Sequence, residues 1–383
     1  MAKNWKESGY NVTVLTCFPN HPDGIIKKGY ENRSFLIENL EGIKVYRVFT
    51  FATPNSGFLK KIISHLVFMV NAVRQGSWAA KRAQILLVSS PTFFSVISAY
   101  VLSRIYKKPY IFEVRDLWPA IFKDLGVLKN RYILYALESL EIFLYNKSSK
   151  IVTVTKSFEK DIAERGINPK KIKTIYNGVD LSQFSPMEKN ISFLNKLGLE
   201  QKFIVLYIGA HGISQGLETL INVANKIREN KTIHFLFVGD GAQKNELKRQ
   251  ANMLKLQNIT FVKSQPKNMV KTYYSIADVV CVPLRNIKLF DSFIPSKIFE
   301  IMAMEKPIIA SLRGEAAKIL SDSKASLVCD PEDEKKILDN ILLLYNNHNR
   351  LEELGKQGRK YVTKNFDRSI LSRKYEKIFN SII

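Results

Sequence analysis

FIVLYIGAHGISQG, residues 203–216, decides the fold. A β-branched and aromatic run, Phe203–Ile208, gives way to a turn with three glycines, and helical periodicity begins at Leu217. A strand that empties through glycines into a helix is one unit of a parallel α/β sheet, and such a turn lets backbone amides approach a phosphate. A plain glycine-rich connection without a ligand fits the same letters, so the neighbouring segments have to decide.

The same alternation extends both ways. Downstream, His234–Val238, Ile259–Val262, Val279–Pro283, Pro307–Ser311 and Ala325–Val328 read as strands separated by helical segments. Upstream, the strand candidates are Asn11–Cys17, Ile43–Phe49, Gln84–Ser89, Tyr110–Glu113, Lys150–Thr155 and Ile172–Ile175. At 383 residues the chain exceeds one ordinary core. The polar, proline-containing stretch near Asp180–Glu188 divides it into domains 1–182 and 183–366. The expected fold is α/β: two doubly wound parallel-sheet, Rossmann-like domains in tandem. Ligands of such sheets bind beyond the carboxyl ends of the strands, so the turns that leave each strand are the places to search for a site.

After His234–Val238 comes Gly239-Asp240-Gly241, and after Ile172–Ile175 comes Tyr176-Asn177-Gly178-Val179-Asp180; each alone is an ordinary tight turn. After Tyr110–Glu113 comes Arg115-Asp116-Leu117-Trp118-Pro119, which fits either a salt-bridged turn or a cation–carboxylate pair for a hydroxyl-bearing substrate. In DSFIPSKIFEIMAMEKPIIAS, residues 291–311, Pro295 and Ser296 start a helix whose buried face is Ile298, Phe299, Ile301 and Met302. Lys297 and Glu300 both sit at the end of that helix which already favours an anion.

The formal charge of +23 is spread along the chain without a basic tail. It points to an anionic partner, nucleotide phosphates or acidic lipid, and away from a disordered nucleic-acid-binding arm. Cys17, Cys281 and Cys329 are far apart in apolar surroundings, as reduced thiols are, and suggest neither a disulfide framework nor a metal site. The start lacks a signal-peptide core, and no run of 18 apolar residues is present. Residues Ser56–Trp78 mix apolar positions with Lys60, Lys61 and Arg74. They read either as a helix packed on its own sheet or as one touching an anionic leaflet. Ala2–Ser8 reads as a helix stopped by Gly9, an unusual opening for a doubly wound sheet.

Together and in this order these stretches resemble the GT-B-fold glycosyltransferases of the large retaining family 4, over nearly the whole chain. The most specific parts are IVTVTKSFEKDIAERGINPKKIKTIYNGVD, FLFVGDGAQKNELKRQA and IPSKIFEIMAMEKPIIAS. EVRDLWP, GAHGISQG and IPSKIFE are most similar to the bacterial polysaccharide branch that includes L-fucosamine transferases.

The resemblance implies transfer of a sugar, such as an N-acetylated deoxy-L-hexosamine, from a UDP-sugar to a lipid-linked or saccharide acceptor in surface polysaccharide (capsule or O-antigen) biosynthesis. Donor contacts are then expected at Gly209, Gly212, Gln215, Gly239, Gly241, Pro295, Ser296, Lys297 and Glu300. Glu300 matches the second of the family's paired glutamates, which holds the ribose, and Lys297 lies near the diphosphate. Arg115, Asp116 and Lys297 are the expected catalytic residues. No metal or other cofactor is implied.

The expected partners are an undecaprenyl-diphosphate-linked acceptor and an anionic membrane surface, with the protein cytoplasmic and peripheral at the inner face. A C-terminal helix, 367–383, is expected to pack back on the first domain. The family also has a first strand and a glycine-rich turn ahead of the helix that ends at Gly9; without them donor binding through residues 209–300 is expected to outlast transfer. Departures are plain: the first glutamate's position holds Ser292, the family's loop Arg and Lys fall on Ala210 and Gln215, and its His-Asp pair falls on Arg115-Asp116. Arg285 and Lys288 are candidate replacement cations. A UDP-sugar 2-epimerase of the same fold and a non-catalytic basic binding protein remain the competing expectations.

Overall fold

The computed structural model describes residues 1–20, 24–31, 33–53, 58–90, 93–120 and 128–383. The chain divides into two compact units, Met1–Tyr176 with Leu371–Ile383, and Asn177–Ile370.

The first unit contains strands β1 (Thr13–Cys17), β2 (Phe35–Leu40), β3 (Ile43–Val48), β4 (Leu86–Ser89), β5 (Tyr110–Val114), β6 (Lys150–Thr153) and β7 (Ile172–Thr174). Its helices are α1 (Ala2–Glu7), α2 (Phe58–Arg82), α3 (Phe93–Tyr106), α4 (Arg131–Lys147) and α5 (Lys156–Glu164). The strands form two sheets rather than one. β4-β5-β6-β7 is fully parallel, and the other has the order β1-β3-β2 with β2 antiparallel to β3. Among the described residues β1 and β4 each pair on one side only.

β5 and β6 are buried on both faces, as Ile111, Phe112, Val114, Ile151 and Val152 show, and this is why they read as unbroken apolar runs. Trp5 of α1 packs edge-on against Tyr375 and Phe379 and donates its indole N–H to the Ser372 carbonyl at 3.3 Å. These three partners all belong to the final helix of the chain, Arg368–Asn380.

The second unit contains β8 (Phe203–Ile208), β9 (Ile233–Val238), β10 (Ile259–Val262), β11 (Val279–Pro283), β12 (Ile308–Ser311) and β13 (Ser326–Cys329). All are parallel, in the order β10-β9-β8-β11-β12-β13. The helices are α6 (Ile191–Lys196), α7 (Glu218–Lys226), α8 (Lys244–Met253), α9 (Lys267–Ile276), α10 (Lys297–Ala303), α11 (Gly314–Ser323), α12 (Glu334–Tyr345) and α13 (His348–Asn365); α14 (Arg368–Asn380) comes last. The winding direction reverses between β8 and β11, so the carboxyl ends of these two strands form the topological switch point where open α/β sheets bind ligands. Among the described residues no helix is long and apolar enough to cross a membrane. Cys281 and Cys329 are buried, Cys17 is half-buried, and all three are free thiols.

Candidate active site

The turns that leave β8 and β9 are laced together. The Gly209 N–H donates to the Val238 carbonyl (2.9 Å), the His211 N–H to Asp240 (2.9 Å), and the Gln243 N–H back to His211 (2.9 Å). Glycine is required where the two turns touch. Gly239 has φ +147°, and a Cβ there would collide with the Gly209 carbonyl oxygen. Lys244, only 5% exposed, holds the second turn by donating to the Gly239 and Val262 carbonyls at 2.6 and 3.0 Å. Gly239→Ala should therefore cost roughly 2–4 kcal/mol of stability, as substitutions at special backbone positions do. It should also displace the Gly209 turn; an unchanged unfolding midpoint in urea would show that the turns need not meet.

Gly216 packs against Arg285 just beyond β11, whose N–H donates to the Ser214 carbonyl at 2.9 Å and closes the switch point. The Arg285 guanidinium is engaged by Glu218 and lies 3.8 Å from Glu332, which makes it a brace of this corner. Lys288 opens a short 3-10 turn, Lys288–Ser292. Gln215 turns back on its own loop, its side-chain oxygen accepting the Gly212 N–H at 3.1 Å.

Lys297, the first residue of α10, reaches back over β8. Its Nζ is 4.3 Å from the centre of the Tyr207 ring and would lie 2.5 Å from a Cβ at Gly209. The Tyr207 hydroxyl is occupied by the Ala210 carbonyl at 2.5 Å. Among the described residues no carboxylate pairs with Lys297 within 4.0 Å. Burial lowers its pKa from 10.5 to about 8, with Glu300 only partly offsetting this. The ammonium is held over an aromatic face, where the ring quadrupole favours it, beside a glycine that leaves it room.

One turn on, Glu300 is half-buried and accepts a 3.4 Å hydrogen bond from the buried Tyr274 hydroxyl. Burial raises its pKa, opposed first by Lys267 and then by Arg368. Pro295 and Ser296 precede the helix as expected, but Ser296 does not cap it with its side chain; its hydroxyl instead accepts from Asn177 at 3.3 Å. Ser292, at the position where a glutamate was missing, bonds to Leu289 within its own turn at 2.7 Å.

In the first unit, Arg115 and Asp116 directly succeed β5. The Arg115 N–H donates to Ser90 at 3.0 Å, and its guanidinium lies 3.9 Å from Glu113, which also accepts from the Tyr375 hydroxyl. Asp116 is half-buried; burial raises its pKa and Arg115 opposes the shift.

Thus Gly209, Gly212, Gln215, Gly239, Gly241, Pro295, Ser296, Lys297 and Glu300 all fall at one end of the six-stranded sheet. Arg115 and Asp116 fall at the corresponding end of β5. Sequence reasoning missed Tyr207, Tyr274 and His211, and read Asn177 only as part of a tight turn. Strand alternation could have flagged Tyr207, whose place two residues before Gly209 sets its hydroxyl beside the turn. His211 is fully buried with neither ring nitrogen hydrogen-bonded among the described residues. Burial, with Lys244 beside it, lowers its pKa to about 4.

Residues 1–183 match the family model described as Glycosyltransferase Family 4, and residues 190–361 match Glycosyl transferases group 1. The putatively named colanic acid biosynthesis glycosyl transferase WcaI of Escherichia coli K12 is 23% identical over 96% of this chain and 91% of its own length. The Pseudomonas aeruginosa protein named as glycosyltransferase WbjE is 24% identical over 70% of this chain and 66% of its own. Among solved structures, sucrose-phosphate synthase of Thermosynechococcus elongatus superposes with a TM-score of 0.75 at 17% identity, covering 99% of this chain and 91% of that one. HepE of Anabaena, in complex with UDP and glucose, gives 0.70 at 16% identity, covering 89% and 87%.

The fold, two parallel-sheet units with a glycine-lined switch point in the second, is the GT-B fold. With a family match on each half, the chain is a glycosyltransferase.

Proposed function

We propose that this chain moves a sugar from a UDP-sugar onto an acceptor hydroxyl in the assembly of a surface polysaccharide. The observation that carries the proposal is the Lys297 ammonium, without a carboxylate partner among the described residues, above the Gly209 turn with the Glu300 carboxylate one helical turn away. The HepE complexes with UDP and UDP-glucose and the colanic acid context in WcaI's name support it by similarity.

Departure of UDP builds negative charge on the diphosphate as the sugar acquires oxocarbenium character. A preorganised ammonium in a desolvated pocket is worth most at that moment. Glu300 accepts hydrogen bonds from the ribose hydroxyls, with Tyr274 fixing its second oxygen. Gly209, Gly212, Gly239 and Gly241 let the donor approach the backbone, while Gln215, Pro295 and Ser296 shape the two turns. In the first unit we assign Asp116 to orienting an acceptor or sugar hydroxyl, with Arg115 maintaining its charge. The reaction as proposed needs no metal.

The finer assignments rest on resemblance: an N-acetylated deoxy-L-hexosamine as donor sugar and a polyprenyl-diphosphate-linked saccharide as acceptor. For the acceptor's membrane we assign α2, where Lys60, Lys61, Ile63, Leu66, Val70 and Arg74 are exposed; of the proposed segment 56–78, residues 56 and 57 lie outside the described residues. Basic and apolar side chains together suit an anionic cytoplasmic leaflet.

Glu300→Ala should weaken UDP binding by roughly 1.5–3 kcal/mol, the range for hydrogen bonds to a charged group. Calorimetry showing unchanged affinity would remove Glu300 from the ribose site. Incubation with UDP-sugar alone tests the epimerase alternative, since only an epimerase turns over without an acceptor. If UDP fails to raise the melting temperature, the donor-site assignment falls and a non-catalytic role gains.

A further inference from the structure

Half of α4 has no core beneath it. Its buried residues, Glu141, Leu144 and Tyr145, all lie in the last two turns. Positions 131–140 bury nothing, yet they carry Tyr132, Ile133, Leu134, Tyr135 and Leu137. Tyr132 is 76% exposed, Tyr135 73% and Ile133 48%.

Topology explains the exposure. β5 and β6 are parallel, so the helix between them runs back along the sheet. The Tyr110 hydroxyl, at the start of β5, donates to the Leu144 carbonyl at 2.5 Å and sets those two ends level. From Leu144 back to Arg131 the helix climbs about 20 Å, whereas β5 climbs only about 13 Å to Val114. α4 therefore overshoots β5 by about one turn, at the end where Arg115 and Asp116 leave the strand. It overshoots α3 as well. Tyr100 meets Phe143 edge-on at 5.2 Å; α3 begins seven residues before that contact and α4 begins twelve before it.

A helix end that packs on nothing tends to fray. This one is fixed: the Asn130 side chain accepts from the Tyr132 and Ile133 N–H groups at 3.0 and 3.2 Å. The overhang is thus an ordered turn that presents aromatic and aliphatic side chains to the outside.

Charge selects what covers it. Lys129 and Arg131 are exposed at its base, and the first turn of α4 holds no acidic residue. Cations at a helix amino terminus oppose the macrodipole, so they are not there to stabilise the helix. Pairing this turn with its equivalent on a second copy would bring the same cations together. An anionic bilayer satisfies the cations and the apolar side chains at once, and the tyrosine hydroxyls suit headgroup depth. We propose that the overhanging first turns of α4 insert into the interface of an anionic membrane, with Tyr132, Ile133 and Tyr135 among the headgroups and Lys129 and Arg131 on their phosphates. This contact lies at the end of β5 where Asp116 is assigned to a hydroxyl. It uses a helix other than α2, so either assignment can fail alone.

Flotation of the full chain with phosphatidylcholine vesicles, with and without phosphatidylglycerol, tests it. Combined Tyr132→Ser, Ile133→Ser and Tyr135→Ser should lower partitioning onto the anionic vesicles roughly ten- to fiftyfold. The melting temperature should not move, because these side chains are already in water. Lys129→Gln and Arg131→Gln should each cost about fivefold, on anionic vesicles only. Ile133→Trp should add fluorescence, above that of the wild type, which lipid brominated near the top of its acyl chains quenches. The assignment is overturned if the serine variant floats as well as wild type or the added tryptophan is not quenched. It is also overturned if light scattering shows a dimer that the serine variant abolishes. Loss of flotation with Lys60→Gln, Lys61→Gln and Arg74→Gln, but not with the serine variant, would leave membrane contact to α2 alone.

Discussion

Lys297→Met should give a protein that melts at a higher temperature and transfers sugar roughly 100- to 1000-fold more slowly, the loss typical of removing one preorganised donor. The two effects share a cause. Burial lowers the lysine's pKa from 10.5 to about 8, so at neutral pH the folded chain holds a charge it disfavours. For a base depressed in the folded state the penalty is fully present below the folded pKa and fades as pH rises from 8 towards 10.5. Allowing for partial solvent access, methionine should recover about 1–2 kcal/mol at pH 7.

A diphosphate would reverse the shift by pairing with the ammonium. UDP binding near pH 8 should then take up protons, and affinity should fall as pH rises above 8. Calorimetry in two buffers of different ionisation enthalpy measures the uptake. A lower melting temperature in Lys297→Met, or turnover equal to wild type, would mean that the ammonium is not held in reserve for the departing diphosphate.

Acid should weaken the second unit by roughly 2 kcal/mol for each of two histidines by pH 5. His211 and His234 are buried, and burial lowers both pKa values from 6.5 to about 4. Lys244 contributes next at His211, and Lys202 at His234. The unfolded chain binds protons from about pH 6.5 downward, whereas the folded one resists until about pH 4, so stability rises with pH across that window. Carboxylates titrate in the same range, and the informative quantity is a difference. His211→Phe with His234→Gln should flatten the urea-midpoint profile between pH 7.5 and 5 relative to wild type. Parallel profiles would show that neither imidazole is held neutral by its surroundings.

The second unit was almost entirely legible in the sequence because its central strands are buried on both faces. VVCVP is an unbroken apolar run and IHFLFV is apolar except for His234, with buried positions throughout both, and glycines mark where β8 and β9 end. The first unit hid more. FLIENL carries Glu38 and Asn39 and is only partly buried, so β2 was not anticipated. The split of this unit into two sheets was also missed, since a run of apolar letters does not say which strand it pairs with.

At the site, charge and glycine were readable, whereas burial was not. Lys297 and Glu300 stood out as letters, but the ring of Tyr207 beneath one and the hydroxyl of Tyr274 against the other are fixed by sheet geometry. Arg285 looked like a spare cation, yet it is spent on Glu218 because the chain returns there twice.

α14 starts in the second unit and finishes in the first. Leu371, Tyr375, Ile378 and Phe379 fill a core with Trp5, Ile111, Val152 and Ile175. A ribosome therefore makes residues 177–370 in full before it supplies that core's last four apolar side chains. On the nascent chain, the unit synthesised first is the one completed last, and until then it exposes Trp5 and its neighbours to any chaperone that recognises bare aromatic surface.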